Sequence, residues 1–330
     1  MITTKDIARL CGVSVTTVNR ALNDKPDVNP DTKQRIVQVA EQNGYQPDIL
    51  ARRLVQGHSK VIGVLASDLE NPFFSRFVIH LQRSAKARGY TIHTSIIENH
   101  PGDEVQALVE LVSLRVDGIA YIPINEGAEY EAAVRKLGVP VVTLINRLSA
   151  GFDFVGTNEA EIMAQLTTAA LDRGYVNLLY VHPQGEHDPR RNHYSLGQRR
   201  TGVVSVLEHD PRVRRWEELL HDIQWDRYAH KIRTWPGKTA LICFNDLQAI
   251  TAMKHLRAFG LEPGVNYGLS GYDRLPLLEY FKPQITTIDY PIVQIAESAI
   301  EFLIAAVESK DDRPPRERII PSQIVFADTL

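Results

Sequence analysis

Thr3-Thr4-Lys5-Asp6-Ile7-Ala8-Arg9-Leu10-Cys11-Gly12-Val13-Ser14-Val15-Thr16-Thr17-Val18-Asn19-Arg20-Ala21-Leu22-Asn23 reads as two short helices joined by a tight turn. Thr3 and Asp6 have the spacing of a capping box, Gly12 breaks the first helix, and Ser14 is a natural N-cap for the second. Such a pair predicts a helix-turn-helix, whose second helix enters the major groove of DNA. On that helix Val18 and Leu22, four apart, are predicted to face inward, while Val15, Thr16, Asn19 and Arg20 share the face that meets base edges.

Outward from this segment, Asn29-Pro30 caps a third helix with Ile36, Val39 and Ala40 as its buried stripe, and Gly44 ends it. Residues 45–54 (Tyr-Gln-Pro-Asp-Ile-Leu-Ala-Arg-Arg-Leu) span about two helical turns, too short to be stable alone in water. Two readings stay open. The stretch folds on DNA, with Leu54 as an apolar wedge between base steps and Arg52 or Arg53 near phosphates, or it is a plain linker with solvated arginines.

Lys5-Asp6-Ile7-Ala8, Val13-Ser14, Thr17-Val18, Arg20-Ala21-Leu22-Asn23, Gly44-Tyr45-Gln46-Pro47 and Ala51-Arg52-Arg53-Leu54 together resemble the headpiece and hinge of the LacI/GalR transcriptional regulators. The likeness continues to the last strand. It implies a DNA-binding headpiece over 1–46, a hinge helix and linker over 47–59, and a ligand-binding and dimerisation domain over 60–330. That domain is expected to be a two-lobed α/β body of the type I periplasmic-binding-protein kind. Its N-lobe would take about 60–160 and 290–320, and its C-lobe about 161–289 and 321–330. DNA contacts are expected from Thr4, Val15, Thr16, Asn19, Arg20, Asn29, Arg52, Arg53 and Leu54. Asn19 stands where a serine is usual, a departure on the reading face. The sequence stops after its last strand with no leucine-rich tail, so a homodimer on a pseudo-palindromic double-stranded operator is expected.

Composition agrees with this division. Over 330 residues, 44% are hydrophobic and 23% charged, an ordinary balance for a water-soluble chain of two or three domains. The net charge of −3 hides an asymmetry, with residues 1–60 at +3 and the rest at −6. A basic module on an acidic body fits localised DNA contact. Cys11 and Cys243 are too few for a disulfide framework, and no run is long enough to span a membrane. A cytoplasmic location follows as the expectation.

From Val61 the pattern becomes strands alternating with helices. Apolar runs at 61–66, 91–97, 118–124, 140–145, 178–182, 240–244 and 267–271 predict buried parallel strands. Phe74/Phe77/Leu81 and Val105/Leu108/Val109/Val112 predict helices between them. Alternation of this kind implies doubly wound α/β units, with ligands at the carboxyl ends of the strands.

Those strand ends hold the candidate ligand site. Asp68, Asn71, Phe73 and Phe74 follow the first strand, where amides and rings suit a sugar, or else serve as an N-cap with core aromatics. The resemblance implies a second group. Asn146-Arg147 occupies the place of the family's Asp-Arg, keeping hydrogen bonding without the negative charge. Arg199-Arg200-Thr201-Gly202 is similar to Arg-x-x-Gly, with Arg199 in the cleft and His193 and Ser195 just before it. Phe244-Asn245-Asp246 places Asp246 against ligand hydroxyls, with an N-cap as its rival role. Gly271-Tyr272-Asp273-Arg274 retains Asp273 but replaces the family's last acid by Arg274. The mixture favours a sugar, polyol or sugar acid over a purine. His187, Arg190, Arg191 and His193 form a basic loop that either selects an acidic ligand or is simply solvated.

The rival class is an α/β enzyme acting on a sugar or nucleotide. Gly237-Lys238-Thr239 resembles the end of a phosphate loop, but Ile232 stands in place of its leading glycine and the segment precedes a strand. No G-x-G-x-x-G or G-x-S-x-G occurs. His182, His187 and His193 fit no metal-ligand spacing, so neither metal nor cofactor is expected. A secreted sugar-binding protein would have no use for the headpiece. The sequence therefore predicts a ligand-responsive repressor of carbohydrate or polyol utilisation genes, without giving the sign of the ligand's effect.

Overall fold

The computed structural model describes residues 2–22, 25–45, 58–182, 191–220, 222–309 and 313–330. It divides into two compact units, Met1–Ser59 and Lys60–Leu330.

The first unit holds three helices: α1 (Thr4–Cys11), α2 (Val15–Leu22) and α3 (Pro30–Gln42). The capping box is present in both directions, Thr3 accepting from the Asp6 N–H and Asp6 from the Thr3 N–H. Gly12 turns the chain with φ of 63°, a conformation that costs glycine little. Ser14 caps α2 by accepting from the Thr17 N–H at 3.1 Å. At the end of α3, Tyr45 N–H donates to Ala40 O and Gly44 N–H to Glu41 O, closing a Schellman turn. Ile7, Ala8, Cys11, Val18, Ala21, Ile36 and Ala40 form its core. The predicted stripes shift slightly: Ala21 is buried while Leu22 and Val39 are half-buried, and Val15 packs against the core instead of standing clear of it.

The second unit begins with β1 (Val61–Ala66), α4 (Pro72–Ala87), β2 (Thr91–Ile96), α5 (Glu104–Ser113), β3 (Gly118–Tyr121), α6 (Ala128–Arg135), β4 (Val141–Leu144) and β5 (Asp153–Thr157). It continues with α7 (Glu159–Asp172), β6 (Tyr175–Val181), α8 (Tyr194–His209), β7 (Arg215–Leu219), α9 (Trp225–Thr234), β8 (Lys238–Cys243), α10 (Asp246–Arg257) and β9 (Gly268–Ser270). Last come β10 (Thr287–Asp289), α11 (Ile292–Glu308), β11 (Glu317–Ile320) and β12 (Gln323–Val325).

One lobe is built on a parallel sheet of order β11-β5-β4-β3-β1-β2, the other on a parallel sheet of order β7-β6-β8-β9. The chain passes between lobes after β5, after β10 and after β11; β10 and β12 pair antiparallel at the crossing, Ile288 opposite Ile324. The last helix, α11, packs on α4, β3, β4 and β5, so it belongs to the first lobe. Among the described residues, no helix is long and apolar enough to cross a membrane.

Strands β5, β7, β10, β11 and β12 were not among the predicted apolar runs. β7 (Arg-Trp-Glu-Glu-Leu) is an edge strand whose acids are held by neighbours, Glu217 by Lys231 and Glu218 by Arg200, so it lacks an apolar run. On α5 the buried residues are Glu104, Ala107, Leu108 and Leu111, while Val109 is exposed. The helix turns Glu104 inward, where its carboxylate accepts from the Ile124 and Asn125 N–H groups at 2.9 and 3.0 Å.

Candidate functional site

On the first unit, Thr16, Asn19 and Arg20 are exposed on one face of α2. Arg20 is paired with Asp27, an exposed ion pair of the kind worth little, which a phosphate or a base edge can replace. Asn29 is exposed but its side-chain oxygen already accepts from the Asp31 N–H at 2.9 Å, so it serves first as the N-cap of α3. Thr4 and Val15 are half-buried. Arg52, Arg53 and Leu54 lie outside the described residues.

In the second unit a cavity of about 310 Å³ opens between the lobes, at the carboxyl ends of β1, β3, β4, β6 and β8. Of the predicted ligand residues, Asn71, Phe73, Phe74, Asn146, His193, Ser195, Arg199, Phe244 and Asp273 line it. Three helices begin at its wall, with N-caps Asn71, His193 and Asn245.

Arg199 is the central charge. It is buried, with Nε donating to Glu159 Oε1 at 2.9 Å and one terminal nitrogen donating to Phe244 O at 2.8 Å. The same guanidinium lies over the rings of Tyr272 and Phe244, at 3.7 and 4.4 Å from their centroids, and 3.9 Å from Asp273. Burial opposes its charge, but Glu159, Tyr272 and Asp273 outweigh this and hold its pKa above the usual value. The carboxyls of Glu159 and Asp273 are pushed up by burial, with Arg199 opposing the shift in each case. A cation braced on five sides in this way is a rigid donor for a ligand oxygen.

Three predicted ligand residues are placed elsewhere. Asp246 is fully buried behind the wall, where Thr287 Oγ1 donates to it at 2.6 Å and Leu275 N–H at 2.7 Å. Its neighbour Asn245 lines the cavity instead and also caps α10. Burial pushes the Asp246 carboxyl up to about 7, against the pull of those two donors and Arg199. Arg147 turns away to Glu317 at 2.6 Å, because a partially exposed guanidinium finds a carboxylate on the neighbouring sheet edge. Asp68 accepts from the Glu70 and Asn71 N–H groups and shapes the loop before α4. Asn146 lines the cavity, but its amide is spent between lobes, donating to Pro123 O at 2.9 Å and accepting from the Ser195 N–H at 3.1 Å.

The prediction omitted Ser67, Asn99, His182, Asn192 and Asn245, all in the wall. Asn99 and Asn192 sit in loops without periodicity; the one available signal was their position just after or before predicted elements. Of the basic loop, Arg191 and His193 line the cavity, whereas His187 and Arg190 lie outside the described residues. Arg274, expected to make the wall basic, pairs with Asp289 at 2.6 Å. No group of three metal-ligating side chains occurs among the described residues.

Residues 3–48 match the family model of bacterial regulatory proteins of the lacI family, and residues 168–329 match the periplasmic binding protein-like domain. The chain is 27% identical over 320 residues to the HTH-type transcriptional repressor PurR of Vibrio vulnificus, covering 94% of this chain and 93% of that one. It is 26% identical to PurR of Yersinia enterocolitica, covering 98% and 96%. Its fold is similar to a Lac repressor dimer bound to operator and the anti-inducer ONPF, with TM-score 0.86, 18% identity and coverage of 99% and 98%. A periplasmic binding protein/LacI transcriptional regulator from Alkaliphilus metalliredigens, complexed with D-xylulofuranose, has TM-score 0.69 at 21% identity, covering 82% and 98%. A helix-turn-helix unit followed by a two-lobed body, each matched in its own right, places the chain in the lacI family of bacterial regulatory proteins, as a ligand-responsive DNA-binding repressor.

Proposed function

We propose that this repressor binds a pseudo-palindromic operator as a homodimer in the cytoplasm, and that a small hydroxylated ligand (a sugar, polyol or sugar acid) sets its grip. The observation that carries the ligand class is the cavity wall itself. Asn71, Asn99 and Asn245 offer amides, Arg199 a fixed cation, and Phe73, Phe74 and Phe244 ring faces for a C–H surface. At about 310 Å³ it lies at the low end of the roughly 300–1,000 Å³ of ligand pockets, which suits one small ring or open-chain polyol. The body acts as a sensor, not an enzyme: Arg199 and Glu159 are committed to each other, which suits binding better than proton transfer.

Ligand closing the lobes would change the spacing of the two hinges, and Leu54, Arg52 and Arg53 would transmit that change to DNA. The test is a thermal-shift panel of monosaccharides, polyols, sugar acids and purines on the full chain. A true ligand at 100 times its Kd adds about 2.7 kcal/mol of stability. Anisotropy with a duplex selected from random sequence then reads whether the same compound releases or tightens DNA. Stabilisation by purines alone would refute the ligand class.

A further inference from the structure

The charge of the cavity narrows the ligand further, a step that rests on reading the cavity as the effector site. Among the described residues, the ionisable groups of its wall are His182, Arg191, His193, Arg199 and Asp273. Arg199 is answered by Glu159 at 2.9 Å and His182 by Glu218 at 2.6 Å. Asp273 lies 3.9 Å from Arg199, so its carboxyl faces a cation already on the wall.

Arg191 is different. It is half-buried, its Nη2 donates to the backbone oxygen of Asn99 at 2.8 Å, and no carboxylate among the described residues pairs with it. A neutral acceptor uses one donor and leaves the remaining donors, and the charge, in the cavity wall. The helices capped by Asn71, His193 and Asn245 add the positive ends of three backbone dipoles at the same wall. A neutral sugar would leave this field unanswered.

We propose that the effector is a polyhydroxylated anion, a sugar carboxylate or sugar phosphate, whose acidic group is taken by Arg191 while its hydroxyls meet Asn71, Asn99 and Asn245. The test is calorimetric titration of the full chain with gluconate, galactonate, glucuronate and glucose 6-phosphate beside glucose, galactose and sorbitol. At least one anion is expected to bind ten-fold or more tightly than its neutral counterpart, and the arm that responds separates carboxylate from phosphate. Arg191→Gln should then lower the anion's affinity roughly ten- to a hundred-fold, the size of a charge-assisted hydrogen-bond pair. Arg191→Lys should retain most of it, and the loss in Arg191→Gln should fall far more heavily on the anion than on sorbitol. If neutral compounds bind as tightly as the anions, or Arg191→Gln weakens both classes equally, this proposal is overturned while the effector cavity stands. Silence from both classes overturns the cavity reading with it.

Discussion

Arg199 holds together the start of α7 (Glu159), the residue after β8 (Phe244) and the loop after β9 (Tyr272 and Asp273). Removing it leaves Glu159 buried without its cation, and Phe244 O without its donor. Arg199→Ala should therefore cost roughly 3–5 kcal/mol. Arg199→Lys should rescue only part, since an ammonium cannot copy the fork that reaches both partners. Urea unfolding measures both; a midpoint unchanged by the alanine variant would show that the cluster is not cohesive. Asp246 gives a pH prediction. Its folded pKa, raised from 3.8 to about 7, means that the folded state keeps a proton which the unfolded chain has lost. Stability contributed by that proton is full below about pH 4 and is lost as pH rises towards 7. Asp246→Asn should remove this dependence. The difference between variant and wild type should move in the variant's favour by up to about 1.4 kcal/mol per pH unit across that window. Calorimetry at several pH values would expose parallel curves if burial does not perturb this carboxyl.

At the scale of elements, the Arg-x-x-Gly motif acquires a second physical reason. Gly202 lies on α8 where it crosses α7, and a Cβ there would collide with the backbone oxygen of Ala160 and with Met163. Gly202→Ala should force the helices apart and cost roughly 1–3 kcal/mol, seen as a lower melting temperature. An unchanged melting temperature would mean that α7 yields freely. Helix ends and buried central strands were legible in the sequence because caps and apolar runs are local. Strand β7 was not, because its glutamates are tolerated only through Arg200 and Lys231, partners far away in the chain. Val109 misled for a related reason: α5 buries a carboxylate, Glu104, that hydropathy places outside.

For the whole molecule, Asn192, two residues before α8, bonds to the other lobe. Asn192 N–H donates to Ile124 O at 2.9 Å, its amide donates to Arg147 O at 2.9 Å, and its carbonyl accepts from Asn146. These bonds hold the two lobes to each other, and so favour any arrangement that keeps them together. Asn192→Ala removes the side-chain bond across the lobes and the one from Tyr194 N–H. At about 1 kcal/mol per bond, the ligand's affinity should fall roughly five-fold or more, because closure must be supplied by the ligand. The change in operator affinity caused by saturating ligand should shrink as well. Titration calorimetry and anisotropy on the same preparation test both, and an unaltered ligand affinity would separate this segment from closure.

The sequence by itself determined the helix-turn-helix, the alternating body and the family, because caps, turns and periodic apolar residues act within a few positions of one another. It also identified nine of the residues that line the cavity, since strand ends in such a body converge. What only the tertiary structure decided was which way the polar side chains turn. Asp246 is claimed by Thr287, 41 residues away, Arg147 by Glu317, 170 away, and Asn146 by Ser195, 49 away. A buried or half-buried polar group takes the nearest competent partner, and that partner is known only once the chain has packed.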